Sequence, residues 1–448
     1  MKLSKLRIKS SRKDPEYSVY EVDGKIVRAV PEIGIELLEK NDLKEFPTIK
    51  SFELAGQDHL FEVEKFPFII YPYELPFGLL KDFSLFYINL LTFLLEKNIS
   101  LKDATPYNIC YNGNNSFKHF DLGSIEKYDA TQGWKGYRQF LVEFYFPLLY
   151  LTENKNIYTT DLIKLFFDKQ WIFKYNFNWR NYLNPGFNIH YTFYKKSAIR
   201  QLKNTSENKL TINHRLIKNN LYLLKNHIIS FSLPKDKTKW DDYYSQTVLK
   251  DGYVDKKVSS IKKLLKNSSI KHPISYATDW GANDGKFSKL FLAEFKNATV
   301  ISIESDYNAV NQLYQDCKNE NIIPVYTDVL NLSPHLGFDG ERLSLKSRLK
   351  SICDFQLCLG LIHHLIHQDN LSFDDVISFF SDSAKSGSYL LIEFIDAEDP
   401  RHQLIKNPNY AYSLTRSYFV ESLNKHYEII DTKQVIETRE LFLCLKTT

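Results

Sequence analysis

The segment "ATDWGANDGKFS", residues 277–288, places small and polar residues between a β-like "PISY" and a helix-like "KLFLAEF". Gly281 and Gly285 would allow a tight turn in which the backbone approaches a ligand without a Cβ in the way. Asn283 tolerates a positive φ better than most non-glycine residues. Asp279, at the end of the strand, can accept hydrogen bonds from the turn or from a cationic group. This turn is therefore a candidate ligand-binding site.

Four later apolar segments also carry polar residues at or near their ends: Glu304 in "ATVISIESD", Asp328 in "IIPVYTDV", His363 and His364 in "DFQLCLGLIHHL", and Glu393 and Asp396 in "SYLLIEFID". Glu304 follows Gly281 by 23 residues. A carboxylate at this spacing can bind both hydroxyls of a ribose. Asp328 could receive an exocyclic adenine amine. Together these residues predict a site for a nucleoside-containing ligand.

The paired histidines are candidate general bases, because imidazole titrates near neutral pH. We favour His364 or His363 for this role, and Glu393 could orient the histidine or the acceptor. The alternative for the pair is that one histidine caps the helix after the strand.

These residues need elements that bring them to one place. From about residue 266 onward, short apolar strands alternate with amphipathic helices, which predicts an α/β fold with a mostly parallel sheet. The carboxyl edge of such a sheet is where ligands bind. We expect three regions: a domain over 1–155, a helical, basic and aromatic linker region over 156–265, and the α/β domain over 266–448. In the first, Asp23-Gly24 of "YSVYEVDGKIVRAV" predicts a hairpin.

The order "DWGANDG", "ISIESD", "YTDV", "LGLIHHL", "LLIEF" resembles the class I S-adenosylmethionine-dependent methyltransferases over roughly residues 270–446. The resemblance implies a Rossmann-like domain with a mostly parallel seven-stranded sheet and S-adenosylmethionine as the cofactor. It places Glu304 on the ribose and Asp328 beside the adenine. Around the methionine part and ribose it places Asp279, Gly281, Asn283 and Gly285. Asn283 departs from the pattern, since many members have a glycine there.

The stretch "LNLSPHLGFDGERLSLKSRLKSICDFQLCLGLIHHLIHQDN" more narrowly resembles a bacterial group of two-part methyltransferases that includes a nodulation-associated protein of rhizobia. Residues that fit this pattern are Gly337, Glu341, Arg342, Ser344, Arg348, His363, His364 and Arg439. The implied activity is methyl transfer, and we expect O-methylation of a small-molecule or carbohydrate acceptor. A dinucleotide such as NAD fits less well, because it needs a third glycine and a helix N-terminus open to pyrophosphate, where acidic Asp284 stands.

The N-terminal "LKDATPYNICYNGNNSFKHFDLGS" resembles the catalytic loop and metal-binding motif of kinases and aminoglycoside-phosphotransferase-like enzymes. The resemblance implies Asp103 as the proton acceptor and Asn108 and Asp121 as magnesium ligands with ATP. However, there is no G-x-G-x-x-G loop, and Arg28 stands where a lysine is usual. We therefore expect a kinase-like fold without phosphoryl transfer that helps to recognise the acceptor. The alternatives are a bifunctional kinase-methyltransferase acting on a glycan or metabolite, and a binding module without catalysis.

Composition indicates a soluble chain of two or three domains, with 448 residues, 43% hydrophobic residues and a net charge of +4. Five scattered cysteines without a CxxC pair indicate a reduced, cytoplasmic protein. The basic start lacks the apolar run of a signal peptide. The apolar "FSLFYINLLTFLLEK" is too short to span a bilayer and predicts a buried amphipathic helix. Basic segments in the middle of the chain could bind an anionic partner such as a nucleic acid, but solvated helix faces and a linker are the favoured interpretation.

Overall fold

The computed structural model describes residues 17–40, 43–54, 57–168, 170–203, 214–234, 252–400 and 414–447. The chain forms two compact units, here called unit 1 (Met1–Tyr111 with Ser116–Lys235) and unit 2 (Asn112–Asn115 with Asp236–Thr448). The region 156–265, expected to be a linker, is divided between them. Its helices before residue 235 belong to unit 1, and a helix at Tyr253–Leu265 belongs to unit 2.

Unit 1 begins with an antiparallel sheet whose strand order is β1-β2-β4-β3. The strands are β1 (Val19–Val22), β2 (Lys25–Ala29), β3 (Ile49–Leu54) and β4 (Gln57–Val63), with helix α1 (Glu32–Lys40) between β2 and β3. The predicted hairpin is confirmed: β1 pairs with β2, and Asp23 and Gly24 have φ values of 50° and 77°. Both positive angles suit the two-residue turn that matches the twist of a hairpin.

The rest of unit 1 is mainly helical around one long apolar helix, α2 (Phe77–Glu96). Of the described helices, α2 is the one with the length and composition to cross a membrane, yet 61% of its apolar window is buried within the protein. Such burial is typical of a core helix, as its apolar spacing predicted. The expectation that the segment is too short to span a bilayer was wrong, because the helix begins at Phe77 and is 20 residues long. The remaining strands are β5 (Ile99–Leu101), β6 (Ile109–Tyr111), β7 (Phe117–His119) and β8 (Ile125–Lys127). The remaining helices are α3 (Tyr137–Phe140), α4 (Phe146–Glu153), α5 (Thr159–Phe167), α6 (Trp171–Lys174), α7 (Pro185–Lys203) and α8 (His214–Ser230).

Unit 2 is built on a mixed seven-stranded sheet in the order β11-β10-β9-β12-β13-β15-β14. Its strands are β9 (Tyr276–Trp280), β10 (Thr299–Glu304), β11 (Ile322–Tyr326), β12 (Phe355–Cys358), β13 (Tyr389–Ile395), β14 (Tyr427–Ile436) and β15 (Arg439–Lys446). The first five are parallel, and β15 runs antiparallel to both of its neighbours. The α/β fold with parallel strands predicted for this part of the chain is thus confirmed.

The helices of unit 2 cover the sheet, and the hydrophobic core of the unit lies between the helices and the strands. The helices are α9 (Tyr253–Leu265), α10 (Lys286–Glu294), α11 (Tyr307–Asp316), α12 (Leu345–Ile352), α13 (Ile362–Asp369), α14 (Phe373–Asp382) and α15 (Arg416–Asn424). Ile261 of α9 and Phe291 of α10 lie in one buried cluster with Val300 and Leu357 of the sheet. Because helices cover the parallel strands, these strands are buried along nearly their whole length and do not alternate between buried and exposed residues, as in the fully buried "IIPVY" of β11.

Two strand boundaries differ from the expectation. β9 starts at Tyr276 and continues through Trp280, so Asp279 lies within the strand, where it is opposite Ser302 of β10 and Leu357 of β12. Glu393 likewise lies inside β13, opposite Leu441 of β15. At both positions a carboxylate residue lies within the sheet, in register with residues of the neighbouring strands. The sequence pattern places these residues at or near strand ends and does not reveal that the strands continue past them.

Candidate functional site

The order of the sheet in unit 2 reverses between β9 and β12. From β9 the chain moves outward through β10 and β11, and then returns to the other side of β9 with β12 and β13. In sheets of this kind, ligands bind outside the carboxyl ends of the strands at this switch point. A cavity of about 150 Å³ is lined there by residues that end or follow β9, β10, β11 and β12. They are Gly281, Asn283, Phe287, Ile303, Glu304, Ser305, Asp328, Val329, Leu330, Leu359, Gly360, Leu361, His364, Leu365 and Asp369.

The turn after β9 has the backbone geometry that its residue types predict. Gly281, Asn283 and Gly285 all have positive φ, at 73°, 48° and 77°. The N–H groups of Gly281 and Ala282 both donate to the carbonyl of Ile303 at 2.9 Å, which fastens the turn to the end of β10. Gly281 and Asn283 line the cavity, whereas Gly285 does not and instead begins α10.

Glu304 connects this turn to the cavity. Its Oε2 accepts a hydrogen bond from the N–H of Asn283 at 2.9 Å, and its Oε1 accepts from the N–H groups of Ser305 and Asp306 at 2.7 and 2.8 Å. Burial raises the pKa of Glu304, while these N–H groups act in the opposite direction by stabilising the carboxylate. The side chain therefore both lines the cavity and holds Asn283 in its unusual conformation.

Asp279 lies beneath the turn and is not among the residues that line the cavity. It is 2% exposed, and its Oδ2 accepts a hydrogen bond of 2.6 Å from the Ser288 hydroxyl. Burial raises the pKa of Asp279 to about 6. Its observed contact is therefore to α10, and any contact with a ligand would require one that reaches past the turn.

The raised pKa of Asp279 predicts a dependence of stability on pH. The folded protein keeps this proton up to about pH 6, whereas a carboxyl of ordinary pKa 3.8 releases it earlier. The free energy of unfolding of unit 2 should therefore fall between about pH 4 and 6, by roughly 2–3 kcal/mol, and stay lower above this range. We expect Asp279→Asn to remove this loss, measured by hydrogen exchange of β9 and β10 amides after correction for intrinsic rates. Glu428→Gln, at an exposed carboxyl on β14, is the control, and an unchanged pH dependence in Asp279→Asn would contradict the assignment.

The cavity is acidic on the side where β11 ends. Asp328 and Asp369 line it together with Glu304, and no Lys or Arg occurs among its lining residues in the described part of unit 2. Burial raises the pKa of Asp369, and the charge of Asp328 adds to this effect. The Asp328 carboxylate also accepts from the Leu330 N–H at 3.0 Å and from the Asn331 amide at 2.9 Å. This set of groups suits a ligand that carries amines or a positive charge.

The two predicted histidines lie in the first turn of α13 and not in the strand before it. His364 lines the cavity, whereas His363 is 2% exposed and is not part of the lining. Their ring centroids are 4.2 Å apart. Of the two residues, His364 is thus the one placed to contact a molecule in the cavity.

Glu393 is placed in a buried charged cluster and not in the cavity lining. Its Oε2 accepts from Lys257 Nζ at 2.6 Å and its Oε1 from the Tyr253 hydroxyl at 2.8 Å. Arg439 lies 3.9 Å from Glu393 and forms a two-point pair with Asp399, at 2.8 and 2.9 Å. Burial acts to raise the pKa of Glu393, but Lys257 and Arg439 outweigh it and hold the pKa below its usual range.

The structure adds residues that the sequence did not single out. Phe287 of α10 and Ser305 after β10 line the cavity, as do Leu361 and Leu365 around the start of α13. Leu361 lies within the motif "LGLIHHL", and its position next to the histidines is the sequence signal that could have predicted its place in the cavity lining. Lys257 lies in "YVDKKVSSIKKLL", which the sequence predicts to be part of a basic linker, and its pairing partner Glu393 lies 136 residues away.

In unit 1 the structure brings Asn108 and Asp121 together. The Asn108 amide donates to Asp121 Oδ2 at 3.2 Å, and Arg28 Nη2 donates to Oδ1 at 3.1 Å. The N–H of Gly123 also donates to Oδ1, at 3.2 Å. The Asp103 carbonyl accepts from the Tyr87 hydroxyl at 3.0 Å. Arg28 is 5% exposed, so a buried guanidinium stands beside the carboxylate that the motif would assign to magnesium.

Comparisons with known proteins cover nearly the whole chain in one case and less than half of it in the others. No protein-family model matches. The chain is 24% identical over 466 aligned residues to nodulation protein NoeA of Rhizobium meliloti (strain 1021), covering 95% of this chain and 93% of that protein. Similar solved structures include a SAM-dependent methyltransferase from Aquifex aeolicus, at 12% identity and a TM-score of 0.31 over 44% of this chain and 94% of that one. Human N-acetylserotonin methyltransferase in complex with SAM has 12% identity and a TM-score of 0.29 over 44% and 52% of the two chains.

Proposed function

We propose that unit 2 is an S-adenosylmethionine-dependent methyltransferase. The observation that supports this most is the acidic cavity at the switch point, formed where four successive parallel strands end. Glu304 lies at the end of the second of these strands, the position from which a carboxylate binds the hydroxyls of a ribose in nucleotide-binding folds. Four of the five sequence motifs that resemble class I methyltransferases, all except "LLIEF", contain residues that line this cavity.

The charge of the cavity favours this donor over a dinucleotide. A pyrophosphate needs open N–H groups at the helix N-terminus and a positive surrounding field. Here the N–H of Lys286, at the start of α10, donates to the Asp284 carboxylate at 3.2 Å. The described cavity residues supply three carboxylates and no Lys or Arg. A ligand with an ammonium and a sulfonium gains from these charges, whereas a pyrophosphate would be repelled.

Each part of the cavity has a role in this proposal. Gly281 and Asn283 approach the methionine part and ribose, Glu304 accepts from the ribose hydroxyls, and Asp328 accepts from the adenine amine. The donor supplies a methyl group that is already activated on sulfur. The protein then has to hold the acceptor close to that methyl and to remove a proton from the accepting group. His364 is the proposed base, because it is the histidine that lines the cavity.

Donor binding should depend strongly on Glu304. We expect Glu304→Ala to weaken the affinity for S-adenosylmethionine about 30- to 100-fold, measured by isothermal titration calorimetry. The loss has two causes: the ribose loses a charged acceptor worth about 1.5–3 kcal/mol, and Asn283 loses the hydrogen bond that fixes the turn. Glu428→Ala, which removes an exposed carboxylate on β14, is the matched control and should bind normally. Wild-type affinity in the Glu304→Ala variant would contradict the ribose assignment.

For unit 1 we propose a kinase-like domain that does not transfer phosphate and that helps to recognise the acceptor. The contacts of Asp121 support the proposal that unit 1 does not transfer phosphate. One of its oxygens accepts from Arg28 and the Gly123 N–H, and the other accepts from Asn108. A metal would have to displace the guanidinium, which already neutralises the carboxylate.

The proposed acceptor for methylation by unit 2 is the hydroxyl group of a small molecule or of a carbohydrate.

A further inference from the structure

The exposed apolar side chains of unit 2 occur in one place. Within 252–400 and 414–447, the large hydrophobic residues that are exposed are Leu330, Phe338 and Leu343, at 38%, 81% and 48%. All three lie between β11 and α12, in residues 328–344, here called the β11–α12 segment. Single exposed apolar residues are ordinary on a protein surface, whereas exposed apolar residues that form a patch mark a binding surface. These three share one segment of the chain, which makes that segment the candidate in unit 2.

Hydrogen bonds hold the β11–α12 segment in shape. The backbones of Leu336 and Arg342 pair in both directions, at 3.0 and 2.9 Å, and Phe338 lies in the turn that they close. Arg348, which is 7% exposed, donates from Nε to the Leu343 carbonyl at 3.3 Å. The turn thus presents Phe338 to solvent on a hydrogen-bonded frame, with its ring available for a ligand.

The same segment forms part of the cavity. Asp328, Val329 and Leu330 are lining residues, so the cavity wall continues directly into the chain that carries Phe338 and Leu343. The cavity volume of about 150 Å³ lies below the range of roughly 300–1,000 Å³ that is usual for sites enclosing a whole small-molecule ligand. A donor and an acceptor therefore cannot both be enclosed in it, and part of the pair has to lie outside its walls.

We propose that residues 330–343 of the β11–α12 segment, which follow the donor-binding Asp328, are the acceptor-binding surface of unit 2, and that the acceptor carries an apolar ring or chain next to the hydroxyl that is methylated. This inference rests on the proposed methyltransferase function. Phe338 would contact the ring or chain, and Leu330 would join that contact to the cavity. A protein partner fits less well, because a stable protein interface buries about 800 Å² on each side, whereas one fully covered Phe supplies about 150–250 Å².

The test is transfer of an isotope-labelled methyl group from S-adenosylmethionine to a whole extract of the source cells, whose labelled products are then separated into macromolecular and small-molecule fractions. Initial rates over a dilution series of the extract give relative kcat/KM values. Phe338→Ala should lower kcat/KM about 10- to 100-fold, the loss expected for an aromatic anchor, with unchanged donor affinity by calorimetry. Phe338→Tyr keeps the ring and should stay within about threefold of wild type. Glu428→Ala, which removes an exposed side chain on β14 of unit 2, is the control and should keep wild-type kcat/KM.

The labelled product tests the chemical class directly. We expect it to be retained on a reversed-phase column, as an apolar ring or chain requires. A product in the unretained polar fraction or in the macromolecular fraction would overturn the inference, as would wild-type kcat/KM in Phe338→Ala. A wild-type protein that fails to bind S-adenosylmethionine would instead contradict the proposed function, and calorimetry separates the two failures.

Discussion

Replacing His364 by alanine is expected to lower kcat for methyl transfer about 10²- to 10⁴-fold, the range that general-base catalysis supplies. Affinity for S-adenosylmethionine should be nearly unchanged, because the groups assigned to the donor lie in other segments, on Glu304 and the turn at Gly281–Asn283. The physical reason is position: His364 lines the cavity at the start of α13. The measurement is single-turnover transfer of a labelled methyl group to extract acceptors, with calorimetry of donor binding beside it.

His363→Ala is the matched control for this prediction. The two rings are 4.2 Å apart, but His363 is 2% exposed and is not part of the cavity lining. The loss of the His363 side chain should act through packing. It should therefore lower the stability of α13 and leave the rate of methyl transfer nearly unchanged. Added imidazole should restore part of the activity of His364→Ala and none of that of His363→Ala. Full turnover in His364→Ala would remove this residue as the base.

The sequence could predict the parallel sheet and the polar residues at its carboxyl edge, because both depend on local patterns. Apolar strands separated by helices are visible in the letters themselves, and a two-residue Asp-Gly turn favours a hairpin whatever surrounds it. Gly281, Asn283, Glu304, Asp328 and His364 all line one cavity, since the carboxyl ends of neighbouring parallel strands meet at one edge. Their roles toward a ligand stay predictions.

The buried charges could not be predicted in the same way. The Lys257–Glu393 pair joins residues 136 positions apart, and the Arg28–Asp121 pair spans 93. Neither pairing leaves a periodic trace in the sequence. Lysines of α9 follow a helical pattern that a solvated face would also show, so only the packing of α9 against the sheet reveals that Lys257 is buried. For the same reason the sequence predicts that Glu393, in the "LLIEF" motif, orients the histidine or the acceptor, whereas the structure places it in an ion pair with Lys257.

Glu393→Ala is expected to destabilise unit 2 by about 3–5 kcal/mol, the cost of leaving a buried charge without its partner. The cluster holds two cations, Lys257 and Arg439, and two anions, Glu393 and Asp399, and the side chains of all but Lys257, at 6%, are 0% exposed. Removing Glu393 alone leaves two positive charges against one carboxylate. The Tyr253 hydroxyl also loses its acceptor. Urea denaturation, with hydrogen exchange of β13 and β15 amides to locate the effect, measures the loss.

The double variant Lys257→Met with Glu393→Gln separates charge balance from any role of Glu393 in the reaction. It removes one charge of each sign, leaves Arg439 paired with Asp399, and keeps an oxygen for the Tyr253 hydroxyl. Stability should return to within about 1 kcal/mol of wild type, since neutral residues of similar volume often replace a buried ion pair without loss. Turnover should return with it, because Glu393 is not part of the cavity lining. A double variant that is stable but inactive would show that Glu393 acts on the chemistry, through His364 or the acceptor, and that its buried pairing is not its whole role.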